Sequence, residues 1–152
     1  VLERFAAIRA EVLARTRSAD ELAREIVAMR ARMRGELDRS GSAGFDLKQG
    51  AGGITDIEFM VQYAVLRWAG EHPELLAWTD NLRLLETIAD LALLPAESCR
   101  HLHDAYFAYR AALHRCTLQQ VDAVVEAERF GDHRASVVGI WEQLFGSAGT
   151  LE

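Results

Sequence analysis

The sequence predicts an all-α helical bundle of about six helices, interrupted once by a short glycine-rich hairpin or extended insertion near residues 44–54. Three observations predict it. Apolar side chains recur three and four residues apart along most of the chain, the period of a helix with one buried face. Only Pro73 and Pro95 interrupt the pattern. Alternating β-branched runs, the mark of strands, are scarce. Half of the 152 residues are hydrophobic, enough for one core, so a single helical domain over residues 1–149 is expected.

The first helix is expected from the start of the chain to about Arg17. Ser18-Ala19-Asp20-Glu21 reads as a capping box with Ser18 as N-cap. It opens a second helix whose apolar stripe is Leu22, Ile26, Met29, Met33 and Leu37, weakened near its end by Gly35. Ser40 to Gly44 is a Ser/Gly loop, and Phe45 to Gly53 is short and non-helical. Thr55-Asp56-Ile57-Glu58 reads as a second capping box, starting a third helix that reaches about Ala69. Gly70 and Pro73 end it. Leu82, Leu85, Ile88, Ala89 and Ala92 mark a fourth helix, and Pro95 suits the first turn of a fifth. Leu102, Tyr106, Tyr109, Leu113 and Cys116 form that helix's buried face. Phe130-Gly131 is a break. Val137, Ile140, Trp141, Leu144 and Phe145 then give the stripe of a sixth helix.

The chain opens at Val1 with an amphipathic pattern already running and ends in Leu151-Glu152, which reads as the remnant of an expression tag. A C-terminal piece of a longer protein is therefore expected. No segment is long and apolar enough to span a membrane, and no membrane partner is expected. Cys99 and Cys116 are too few for a disulfide scaffold, which suggests reduced thiols and a cytoplasmic setting.

The net charge of −6 is unevenly spread. Residues 1–50 carry 10 basic and 8 acidic side chains, and residues 51–152 carry 7 and 15. No basic stripe runs through the second part, so nucleic acid is not an expected partner. Arg30, Arg32 and Arg34 form the one candidate anion patch. Only Arg30 and Arg34 share a helix face, and a solvated face is the plainer reading.

Residues 46–62 carry the most specific signal: Asp46, Lys48, Gly50, Gly52, Gly53, Asp56, Glu58 and Gln62 within one short stretch. Glycines that lead into a helix N-terminus often cradle phosphate. Asp56 and Glu58 in the first turn would repel a bare phosphate, so Lys48 or a metal would have to offset them. The spacing is neither a Walker loop nor a dinucleotide fingerprint. The plainer alternative is a capped helix behind a tight turn, with Gly52 or Gly53 at positive φ. Two carboxylates two residues apart on a helix point to different faces and do not chelate one ion, so no metal ligand is assigned. Cys99, His103, His114 and Cys116 match no familiar zinc spacing.

The run Asp46-x-Lys48-x-Gly50-x-Gly52-Gly53-Ile54-x-Asp56-Ile57-Glu58-Phe59-x-x-Gln62 resembles a signature of the glutamine synthetase adenylyltransferase family, the bifunctional adenylyltransferase/adenylyl-removing enzymes. A shorter form occurs in the related PII uridylyltransferases, and Glu58-Phe59 with Gln62 favours the adenylyltransferases. Met29 to Met33, Thr79-Asp80-Asn81, Tyr106 to His114, Ala127-Glu128-Arg129 and the Trp141 helix extend the likeness over nearly the whole chain.

The resemblance implies the helical domain that follows the second nucleotidyltransferase unit. In that family AMP passes from ATP, with Mg2+, to a tyrosine of glutamine synthetase, under control by PII protein and glutamine. The Gly-Ser and Asp-x-Asp elements that hold the two metals there have no match here. The resemblance thus implies no catalytic residue in this chain, an inert isolated domain, and an upstream nucleotidyltransferase domain as partner. Lys48 and the glycine turn would lie nearest the nucleotide. A regulatory module sensing PII or glutamine, and the helical domain of a uridylyltransferase-like enzyme, are the alternatives.

Overall fold

The structure, a computed structural model, describes residues 1–146. The end of the expected domain and the presumed tag remnant lie outside the described residues. Six α-helices are described: α1 (Leu2–Leu13), α2 (Ala19–Leu37), α3 (Ile54–Trp68), α4 (Asn81–Asp90), α5 (Ala96–Gln119) and α6 (Gly131–Phe145). A 3-10 turn at Pro73–Leu76 links α3 to α4. Among the described residues no helix is long and apolar enough to cross a membrane.

Ser18 caps α2 as its sequence predicts, its hydroxyl accepting the Glu21 N–H at 3.4 Å. The buried stripe of α2 is turned from the expected one. Leu22, Ala23, Ile26 and Arg30 face inward, whereas Met29 and Leu37 are half exposed. The helix rotates to bring Arg30 inside because a carboxylate is waiting for it there. α1 stops at Leu13, short of Arg17, and none of its residues is buried. Phe5 is 66% and Ile8 51% exposed. A 12-residue helix gains little from propensity alone, so α1 is held through its other side, where Arg9 donates to the Leu76 and Trp78 carbonyls.

The insertion is not a local hairpin. β1 (Gly44–Asp46) pairs antiparallel with β2 (Val124–Glu126), a strand that follows α5, with Phe45 opposite Val125. Val124-Val125 is too short to announce itself as a strand and is ordered only by its partner. The ladder seats Phe45 in the core, edge-on to Tyr109 with centroids 5.6 Å apart, and Tyr109 meets Phe130 in the same way at 5.4 Å. Each such pair is worth about 0.5–1.5 kcal/mol beyond burial. α5 threads the middle of the bundle, with Leu102, Tyr106, Tyr109 and Cys116 inward. Pro95 is its N-cap rather than a first-turn residue.

Cys99 lies on the buried side of α5, and burial pushes its thiol from the usual 9.0 up to about 11. The unfolded chain therefore releases this proton first. The contribution of this thiol to stability is fully present below pH 9 and is lost as pH rises through 11. Melting of the wild type and of Cys99→Ala between pH 8 and 11 checks this: the variant is expected to show the shallower alkaline decline.

Candidate functional site

The glycine turn is built by Asp46. Its carboxylate, buried at the end of β1, accepts the N–H groups of Lys48 (2.9 Å) and Gln49 (3.0 Å) on Oδ1 and that of Arg39 (3.1 Å) on Oδ2. A carboxylate bonding to N–H groups two and three residues ahead is an Asx turn. The chain then folds back under α3. Ile54 N–H donates to the Leu47 carbonyl at 2.9 Å, and Thr55 N–H to the Lys48 carbonyl at 3.0 Å. Gly53 N–H meets the Gly50 carbonyl at 2.9 Å.

This turn spends its own donors. The N–H groups of Ile54 and Thr55, which a phosphate would need, are occupied by carbonyls of the same loop. The cradle reading of the glycines therefore gives way to a structural one. The expected Thr55–Glu58 capping box is absent as well. Gly53 is the N-cap, with no side-chain cap, and Thr55 sits buried two residues further inside. Gly52 takes φ +80°, and a Cβ there would stand 2.9 Å from the Arg134 carbonyl oxygen of α6. Gly53 has ordinary φ but no room, since its Cβ would meet the Leu47 oxygen at 2.8 Å.

Asp56 is 2% exposed and carries the buried charge of the site. Its Oδ1 accepts from Arg30 Nε at 2.6 Å and from Arg34 Nη2 at 2.8 Å, and its Oδ2 accepts the Gly52 N–H at 2.8 Å. Arg30, 1% exposed, also donates through Nη2 to the Gln49 carbonyl at 2.7 Å. One carboxylate thus ties α2, the glycine turn and α3 together. This corrects two expectations. Arg30 is no solvated surface residue, although it and Arg34 do share the predicted face. Asp56 does not present bare charge to a ligand, because two guanidiniums neutralise it. Tyr109 lies close by, its hydroxyl buried without a protein partner. Burial holds its pKa above the usual tyrosine range, the Asp56 charge adding to that and Arg134 opposing it.

The motif's remaining polar side chains lie outside this frame. Lys48 is exposed, and among the described residues its ammonium makes no hydrogen bond or ion pair. It lines a groove of about 320 Å³ with Arg39, Gln49, Leu113, Asp122 and Val124. Glu58 and the exposed Gln62 sit one turn apart on α3. The Tyr106 hydroxyl donates to Glu58 Oε1 at 3.4 Å and accepts from Asn81 Nδ2 at 3.2 Å. Burial raises the Tyr106 pKa, with the Glu58 charge adding to the effect. Tyr106 and Leu113 are seven residues apart on α5, so the Glu58 cluster and the Lys48 groove are about two turns, or ~10 Å, apart along it. The sequence marks Arg30 and Arg34 as a shared face but does not disclose their partner Asp56, nor that Asn81 meets Tyr106, because these partners are distant in the chain.

The comparisons with known proteins point one way. The profile of the family described as GlnD PII-uridylyltransferase matches residues 20–129. Bifunctional glutamine synthetase adenylyltransferase/adenylyl-removing enzymes are similar over most of the chain. Those of Pseudomonas aeruginosa and Nitrosococcus oceani are each 51% identical over 92% of it, and that of Shewanella loihica is 44% identical over 95%. The chain belongs to the glutamine synthetase adenylyltransferase family. It spans only 14% to 16% of the length of these adenylyltransferases.

Within that family's motif, the structure separates frame from face in this chain. Asp46, Gly50, Gly52, Gly53 and Asp56 are buried and build the turn, whereas Lys48, Glu58 and Gln62 point outward or stand at its edge. Among the described residues no three His, Cys, Asp or Glu side chains are grouped so as to hold a metal ion. The donor set fits no Mg2+: Asp56 is engaged by two arginines and Glu58 by Tyr106. An anionic group fits better, beside the unpaired ammonium of Lys48.

Proposed function

We propose that this chain is the helical wall of an adenylylating active site, and that Lys48 reaches from it toward the phosphates of ATP bound in an upstream nucleotidyltransferase domain. The observation that carries the reading is the contrast at Lys48. The turn around it is held by hydrogen bonds to the Asp46 and Asp56 carboxylates, yet among the described residues the Lys48 ammonium stays exposed and unpaired. A flexible stem ending in a point charge suits a phosphate, and a rigid turn gives that stem a fixed origin. ATP would supply the AMP, Mg2+ would be held by residues outside this chain, and the acceptor would be a tyrosine of glutamine synthetase. On this reading the domain alone transfers nothing; it binds and orients.

The exposed apolar side of α1 supports a contact with another part of the enzyme, since Phe5 and Ile8 stay more than half exposed among the described residues. Control by PII protein or glutamine would act through such a contact, and the setting would be the cytoplasm.

Lys48→Ala tests the proposal. In the full-length enzyme adenylylation is expected to fall at least about tenfold, or roughly 1.4 kcal/mol of transition-state binding. The same change in this chain should shift the melting temperature by no more than a few degrees, because the side chain is exposed and makes no hydrogen bond or ion pair among the described residues. Unchanged activity with a large melting shift would reassign Lys48 to the frame.

A further inference from the structure

Three helices bring one polar cluster together beyond the glycine turn. Glu58 comes from α3, Asn81 from the start of α4 and Tyr106 from α5. Each side chain fixes the next. Burial raises the Tyr106 pKa, so the hydroxyl keeps its proton and donates it to Glu58 Oε1 at 3.4 Å. The phenol oxygen accepts from Asn81 Nδ2 at 3.2 Å, which fixes the amide and turns Oδ1 away from Tyr106. Asn81 Oδ1 is buried and has no hydrogen-bond partner among the described residues. Glu58 has no cation within ion-pair distance among them either. One long bond to Oε1 leaves its second oxygen open. A buried acceptor without a donor is costly, so a ligand N–H that reaches it is favoured.

The cluster lies in line with Lys48. Tyr106, Arg110 and Leu113 follow one another at i, i+4 and i+7 along one face of α5, and Leu113 shares its groove with Lys48. Arg110 is exposed and makes no ion pair among the described residues. Over ~10 Å this face therefore presents two oxygen acceptors, then Arg110, then Lys48. A matching ligand has N–H donors at one end and anionic oxygens at the other. An aminopurine nucleoside triphosphate is built in that order. Its exocyclic amine carries two N–H donors, and two separate acceptors, the open Glu58 oxygen and Asn81 Oδ1, suit one hydrogen each. A base with a carbonyl in that place would set oxygen against oxygen.

We propose that Glu58 and Asn81 read the 6-amino group of the adenine of ATP, and that Tyr106 is the positioning residue that holds both. The inference rests on the reading of Lys48 as a phosphate contact and adds, for that same site, the end that selects the base. The test compares kcat/KM of the full-length enzyme for ATP and for purine riboside 5′-triphosphate, which carries hydrogen in place of the 6-amino group. The wild type is expected to favour ATP at least about tenfold. Glu58→Ala should bring the two nucleotides to within about twofold of each other. Tyr106→Phe, which keeps the ring and drops the hydroxyl, should narrow the ratio in the same direction. Lys48→Ala should lower both values and leave their ratio unchanged. The two readings therefore fail separately: no loss from Lys48→Ala strikes the phosphate contact, whereas an undiminished ratio in Glu58→Ala strikes the base contact. A wild type indifferent to the amino group would overturn the inference as well. If Glu58→Ala does not fold, Asn81→Ala decides by the same ratio, and an unchanged value sinks the proposal.

Discussion

Replacing Asp56 with alanine is expected to destabilise the domain by about 3–5 kcal/mol, the range for removing one partner of a buried ion pair. The loss has three parts at this position. Arg30 stays in the interior with its charge uncompensated. Arg34 loses both of its bonds to the carboxylate, and the Gly52 N–H is left without an acceptor. For a chain of this size the melting temperature should fall on the order of 10 °C. Thermal and urea unfolding of Asp56→Ala, Arg30→Met and the double variant form the cycle that isolates the pair. The double variant should recover part of the loss, since it no longer buries an orphan charge. A cost below about 1 kcal/mol for Asp56→Ala would mean that the three elements are not joined through this carboxylate.

Gly52→Ala should be nearly as damaging. The residue holds φ +80°, where a side chain adds about 1 kcal/mol of strain. The new Cβ would also lie 2.9 Å from a backbone oxygen and 3.2 Å from the Cα of Arg134, so α6 itself must move. Overpacking against a rigid neighbour typically adds about 1–3 kcal/mol, and a total of about 2–4 kcal/mol is expected. Gly139→Ala is the control. It lies in α6 with open space around it and an ordinary helical environment, so it should be neutral or gain about 0.5–1 kcal/mol. Equal losses at both positions would show that α6 packing, not the turn, is being measured.

The six helices were legible in the sequence because helical periodicity and the Ser18 capping box are local signals. The break at residues 44–54 was legible for the same reason, since glycine content is local too. What escaped was every feature made by distant partners. The strand Val124–Glu126 exists only as the mate of β1. The inward turn of α2 was misread through Met29 and Leu37 because apolar spacing gives no weight to an arginine, and nothing near Arg30 in sequence discloses Asp56. The motif residues stood out as a group, yet sequence alone could not separate those that build the turn from those it displays. That separation depends on which N–H groups are already engaged, which is a property of the folded loop.

The ladder between β1 and β2 also bears on the order of events during synthesis. The glycine turn leans on residues about 80 positions further along, so closing it costs the loop entropy of all the chain between. A nascent chain that has not yet reached Val124 holds Gly44 to Asp46 with no mate, and one that has not reached Arg134 lacks the wall against which Gly52 packs. The helical pairs α2–α3 and α4–α5 need no such wait, because each joins consecutive helices. The segment that displays Lys48 therefore acquires its final shape only after synthesis has passed Val124 and Arg134.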